Sequence, residues 1–169
     1  MSLKNMKNIA VIGATGYTGL DLVYMLSKHP KIKIVNLCAT KNIGKKINFF
    51  DKRIKKKLPL ITSVNKINWD NIDLVFLSLP NNEAQKIIKE KFNKNKNIKF
   101  IDLSADFRIT DPKVYEKNYK TKHKAKKFIR HSLYSIPEFN REIIKKYRII
   151  SNPGCYPTSI QIPLIPLIK

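Results

Sequence analysis

Glycine is scarce in this chain, with five among 169 residues, at positions 13, 16, 19, 44 and 154. Where glycine is rare, each one points to a backbone demand that other residues meet poorly. Acidic residues are also few: 12 Asp and Glu stand against 34 Lys and Arg, a formal net charge of +22. There are two cysteines, Cys38 and Cys155, too few for a disulfide framework, so a reducing, cytoplasmic setting is expected. No run of about 18 apolar residues exists, which excludes a transmembrane helix. The opening M-S-L-K-N-M-K-N leads into a short apolar stretch broken at Gly13, too short for the core of a secretion signal. No group of residues has the spacing of metal ligands.

What is present is a 43% apolar fraction, enough for a sizeable core and unlike a disordered basic tail. The basicity is nearly all lysine, 29 Lys to 5 Arg, and it comes with 16 Asn and 25 Ile. Asn and Ile have no electrostatic reason to accompany Lys, but all three have A/T-rich codons. A biased genome therefore accounts for the trio better than a nucleic-acid surface does. The field still attracts anions without specificity. A basic nucleic-acid-binding protein using residues 113–127 is the alternative from a different class.

Hydrophobic patterning predicts a buried strand at residues 8–12, a helix at 19–28 and a second strand at 32–37, a β-α-β unit. Residues 41–57 read as an irregular connection and 58–64 as a weak strand. Further strands are expected at 73–79, 99–103, 132–136 and 148–150, with helices at 82–92, 112–119 and 138–147. Strands alternating with helices imply an α/β fold, a Rossmann-like doubly wound parallel sheet. Residues 158–169 are apolar but hold Pro163 and Pro166, so a kinked, short or poorly formed helix is expected. The division is a nucleotide-binding unit at 1–150 and the start of a second, largely missing domain at 151–169.

Three motifs carry chemistry. G-A-T-G-Y-T-G, from Gly13 to Gly19, follows a strand and opens a helix, the position where glycines bring backbone N–H groups to a phosphate. Gly13, Thr15, Gly16, Tyr17, Thr18 and Gly19 are its cofactor-binding candidates, helix capping being the plainer role for the two threonines. After the second strand come Thr40 and Lys41 in place of the acid that would bind an unphosphorylated ribose, so NADP is preferred over NAD unless Lys41 is one more solvated lysine. N-P-G-C-Y-P-T puts Cys155 between a strand and an apolar segment. The start of a helix favours the thiolate form of a cysteine, a nucleophile for acyl transfer. Cys38, at a strand end, reads as a small buried apolar residue. D-L-S-A-D-F-R brings Arg108 to the end of a strand, as a binder of phosphate or carboxylate or as half of a surface pair with Asp106. His29 reads as a helix cap, and His123 and His131 as solvated.

G-A-T-G-Y-T-G, L-S-L-P, D-L-S-A-D-F-R, Y-S-I-P-E-F-N-R and S-N-P-G-C-Y-P-T together resemble the N-acetyl-gamma-glutamyl-phosphate reductase family of arginine biosynthesis, over nearly the whole chain. The resemblance implies reduction of an acyl phosphate to an aldehyde through a Cys155 thioester, with NADP(H) held by the glycine turn. It implies Arg108 and Asn152 as substrate-binding candidates. The chain departs from the family pattern at Asn81, where a histidine is usual, and at Pro163. Family members are roughly twice as long. Their further part would hold the acid/base histidine, most of the substrate domain and the interface of a homo-oligomer. A non-catalytic NADP-binding remnant is the second reading.

Overall fold

The computed structural model describes residues 6–168, so the first five residues of the stretch read for a secretion signal lie outside it. The elements run β1 (Lys7–Ile12), α1 (Tyr17–Ser27), β2 (Ile32–Cys38), β3 (Ile61–Thr62), β4 (Leu74–Leu77), α2 (Ala84–Lys91), β5 (Lys99–Asp102), α3 (Pro112–Tyr119), β6 (Ser132–Tyr134), α4 (Pro137–Ile144), β7 (Ile149–Ser151) and α5 (Cys155–Ile168). The seven strands form one sheet in the order β3-β2-β1-β4-β5-β7-β6. Every pairing is parallel.

Parallel strands covered on both faces read as continuous apolar runs, and β1 shows why. Ile9 and Val11 join one core cluster with Leu22 and Val23 of α1. Ala10 and Ile12 join the other with Ala84 and Ile88 of α2. Helices thus cover both faces, and the expected doubly wound sheet is found. The chain leaves β1 toward β2 on one side and reaches β4 on the other, which makes the β1/β4 boundary the switch point where ligands settle in such sheets. All seven strands end on one edge, so the segments following β1, β2, β4, β5 and β7 share it.

The elements match the sequence pattern closely at α3, where Asp111 accepts the Lys113 N–H at 2.7 Å and Pro112 opens the helix. The pattern fails at α5, a continuous helix of 14 residues that contains Pro163 and Pro166. The two prolines are three residues apart and both exposed, so they share one face. The carbonyls of Ser159 and Ile162, which lose their donors one turn on, are therefore open to water there. No residue of α5 is buried, and Ile160, Leu164, Leu167 and Ile168 are exposed.

The core on the α2 face is anchored by aromatic packing. Phe100 of β5 is fully buried and its ring lies 6.4 Å from that of Phe92, which in turn contacts Phe128 at 4.8 Å. Phe100→Ala is expected to lower the unfolding free energy by about 3–5 kcal/mol, measured by urea denaturation. A loss below about 1 kcal/mol would mean that this cluster does not hold the sheet.

Candidate functional site: a cofactor cleft and a nucleophile turn on one sheet edge

The turn after β1 is built by close backbone approach. Gly13 has φ +87°, and a Cβ there would stand 1.9 Å from the Ser78 carbonyl oxygen. Gly19 lies over the same turn, where a Cβ would stand 2.1 Å from the Gly13 carbonyl oxygen. One glycine lets β1 and β4 finish side by side, and the other lets α1 press onto the turn. Gly16 is the N-cap of α1 and makes no side-chain cap. Neither threonine caps the helix, so the capping alternative for Thr15 and Thr18 does not hold. The first-turn N–H groups of α1 have no carbonyl one turn earlier to accept them, which leaves donors for a diphosphate.

A cleft of about 700 Å³ opens above this turn. Gly13, Thr15, Gly16 and Thr40 line it, together with Ser63 to Asn65 after β3 and Ser78 to Pro80 after β4. Of the other sequence-predicted cofactor residues, Gly19 is buried beneath the turn, Tyr17 is 93% exposed, and Thr18 and Lys41 are exposed outside the lining. Sequence reading missed the wall at residues 63–65, because it follows a two-residue strand with no motif of its own. A dinucleotide fits these residues: there is a glycine cradle that a Cβ would fill, and no acid follows β2 where the adenosine ribose would sit.

The turn that carries Cys155 stands on the same edge. After β7, the Asn152 N–H donates to the Asp102 carbonyl at 2.8 Å. The Asn152 carbonyl accepts from Arg108 Nε at 2.9 Å, and Arg108 Nη2 donates to the Leu103 carbonyl at 3.1 Å. A Cβ at Gly154 would stand 3.1 Å from Arg108 Nη1, so glycine there makes room for the guanidinium. The Gly154 carbonyl accepts the first helical bond, from Thr158 at 3.1 Å, and Cys155 opens α5 with its side chain exposed. Cys38 is buried, and burial pushes its thiol above the ordinary value. Arg108, Asn152 and Cys155 thus come together, with Arg108 engaged by two backbone carbonyls.

The predicted surface pair of Asp106 and Arg108 is not found. Asp106 is fully buried and bonds elsewhere, because the loop turns its side chain inward beneath α2. His123 is likewise not solvated. It is 2% exposed, with Nδ1 accepting the Ala125 N–H at 3.1 Å and Nε2 donating to the Asp106 carbonyl at 2.7 Å. Burial holds its pKa below the ordinary imidazole value. His131 is half-buried against the Phe92 ring at 5.1 Å. His29 accepts the Lys31 N–H at 3.2 Å just past α1. Asn81 accepts the Ala105 N–H at 3.2 Å, tying the loop after β4 to the loop after β5. Among the described residues, no three His, Cys, Asp or Glu side chains gather as a metal would need, and no helix is long and apolar enough to cross a membrane.

The sequence profile described as semialdehyde dehydrogenase, NAD binding domain, matches residues 8–147. The chain belongs to this family. It is 41% identical to an N-acetyl-gamma-glutamyl-phosphate reductase of Afipia carboxidovorans over 166 residues, which covers 96% of this chain and 47% of that protein. It is 40% identical to a probable chloroplastic N-acetyl-gamma-glutamyl-phosphate reductase of Arabidopsis thaliana over 171 residues, covering 99% of this chain and 42% of that protein. The chain therefore spans about half the length of these relatives. Aspartate semialdehyde dehydrogenase II of Vibrio cholerae, solved as a complex with ASA, shares the fold at a TM-score of 0.69 and 18% identity, covering 96% of this chain and 46% of that one.

Asp102, at the end of β5, bears on the electrostatics of this semialdehyde dehydrogenase domain. Its Oδ1 accepts the Ser104 N–H at 2.9 Å, while Oδ2 is buried without a partner. Its cross-strand neighbour Ser151 has a buried hydroxyl that also lacks one. Burial raises the Asp102 pKa from 3.8 to about 6. The folded state thus binds the proton more tightly than the unfolded chain does. The stability it contributes is complete below about pH 4 and lost as the pH rises through about 6. Asp102→Asn is expected to remove that fall and raise the melting temperature at pH 7.5, read by thermal melts from pH 4 to 8. An unchanged pH profile would refute this origin.

Proposed function

We propose that this chain is the cofactor- and nucleophile-bearing part of an NADPH-dependent N-acetyl-gamma-glutamyl-phosphate reductase of arginine biosynthesis. The observation that carries the proposal is an exposed thiol at the start of α5, on the same sheet edge as the glycine-turn cleft. With β5 alone between them, β4 and β7 are two strand spacings apart, about 10 Å. A dinucleotide running from Thr40 across the Gly13 turn toward β4 ends on the thiol's side of the cleft.

The division of labour follows. Residues 1–150 hold NADP(H), with backbone donors of the Gly13–Gly19 turn on the diphosphate and Thr40 and Lys41 at the 2′-phosphate. Residues 151–169 begin the catalytic region. Cys155 Sγ attacks the acyl carbonyl, the carbonyl carbon–oxygen bond to phosphate breaks, phosphate leaves, and a thioester forms. NADPH, when bound, supplies the hydride for its reduction. Collapse of the resulting thiohemiacetal breaks the carbon–sulfur bond, returns the thiolate and releases N-acetylglutamate 5-semialdehyde. Arg108 has Nη1 unengaged by the carbonyls it holds and is the candidate for the anionic leaving group, and Asn152 shapes the turn beside it. The family resemblance puts the acid/base histidine and the subunit interface of a homo-oligomer outside the half of the relatives that this chain spans. Both cysteines are unpaired, in keeping with a reducing, cytoplasmic setting.

Titration with NADPH tests the cofactor half of the proposal. Binding at micromolar to submillimolar concentrations is expected, with NAD(H) weaker, and no binding at millimolar NADPH would sink it. Iodoacetamide is expected to label Cys155 alone in the folded chain and both cysteines in urea, read by mass spectrometry. When the chain is completed by the missing region of a relative, Cys155→Ser should abolish reductase activity, and retained turnover would refute the thioester.

A further inference from the structure

Asp106 is a fully buried acid used neither for charge pairing nor for contact with the cleft. Four hydrogen bonds converge on its carboxyl group. Oδ1 accepts the Asn82 N–H at 2.7 Å, the Tyr115 hydroxyl at 3.0 Å and Gln85 Nε2 at 3.4 Å, and Oδ2 accepts the Gln85 N–H at 3.0 Å. Asn82 sits in the left-handed region at φ 74°, and α2 has no side-chain cap of its own at Glu83. Asp106 supplies that cap from a different loop, 21 to 24 residues away in sequence. A cap on exposed surface is worth about 1 kcal/mol and needs no burial. A buried one is costly unless every lone pair is met, so the geometry around this carboxyl is demanding.

The two things it joins are the two halves of the site. Residues 78–87 form the cleft wall on the β4 side, through Leu79, Pro80, Glu83 and Ile87. The loop carrying Asp106 also carries Arg108, whose guanidinium holds the Asn152 carbonyl two residues before Gly154 and the nucleophile. Further ties fasten the same junction: Asn81 to the Ala105 N–H, and His123 to the Asp106 carbonyl. Gln85 adds another, its Oε1 accepting the Lys124 N–H. None of these hydrogen bonds involves the adenosine end of the cleft, at Thr40 and residues 63–65.

We infer that Asp106 is a positioning residue that sets the nicotinamide-side wall of the cleft at a fixed place relative to the Cys155 turn. The inference rests on the cofactor reading above. Asparagine at this position retains the shape but turns an NH₂ group against backbone N–H donors whichever way the amide faces. The wall at residues 78–87 then shifts while the glycine turn and the adenosine end stay as they are.

Calorimetric titration of the wild-type and Asp106→Asn chains with two probes, NADPH and adenosine 2′,5′-bisphosphate, separates this role from simple loss of stability. The second probe has the phosphorylated ribose but no nicotinamide. The variant is expected to bind NADPH about tenfold more weakly and the bisphosphate within about twofold of wild type. Equal weakening of both probes, or of neither, overturns the inference while leaving the cofactor reading intact. A wild-type chain that binds neither probe overturns the cofactor reading and this inference with it. If Asp106→Asn does not fold, Tyr115→Phe decides. It deletes one of the four donors, and the same selective loss of NADPH is expected at about threefold, with equal or absent losses again refuting the role.

Discussion

The Ser78 carbonyl oxygen occupies the space that a side chain on residue 13 would need, and the Gly13 carbonyl oxygen does the same for residue 19. These two close approaches fix how β1, β4 and α1 meet. With Cβ atoms there, β1 could not finish beside β4 while turning under α1, and the first-turn N–H groups of α1 would be lifted away from the sheet edge. The cleft exists because three backbone segments meet at distances that only glycine permits. Everything downstream inherits that edge, because a parallel sheet returns every strand to the same side.

The loop after β5 performs a second, different kind of joining. It turns its polar groups inward: Asp106 on α2, Arg108 on the Cys155 turn, Ser104 on the Asp106 N–H. Hydrogen bonds of this sort contribute about 1 kcal/mol each to stability and are more exacting in geometry than in energy. Asp102 and Ser151 beneath this loop leave buried polar atoms unmet, and they mark where stability has yielded to local geometry.

The alternation of apolar strands and amphipathic helices was legible in the sequence, because the continuous apolar run of β1 and the period-3.6 burial of α1 leave separate signatures. The glycine turn and the turn that carries Cys155 were legible too, as short motifs of glycine and proline that set the backbone. What could not be read was which way polar side chains face. D-L-S-A-D-F-R does not disclose that Asp106 points inward and Arg108 across, since i and i+2 positions in a loop follow no period. His123 was hidden for the same reason, and so was the cleft wall at residues 63–65, which lies beyond a strand of two residues. The helix through Pro163 and Pro166 exceeded what local propensity allows, because the lost donors fall together on a wetted face.

The lysine excess gains meaning when set beside the arginines. Three of the five arginines use their planar fork. Arg108 spans two carbonyls, Arg148 reaches the carbonyls of Phe92, Asn95 and Ile98, and Arg53 engages Asp21 and Asp51. Arg148 also stacks over the Phe92 ring at 3.8 Å. An ammonium can supply charge at such places but not several donors in one plane. The lysines, by contrast, are overwhelmingly exposed, where a point charge suffices. Drift toward A/T-rich codons would convert arginine to lysine wherever geometry is indifferent. Three of the five arginines stand where geometry is not indifferent, and Arg108 is one of them on structural grounds before any substrate is considered.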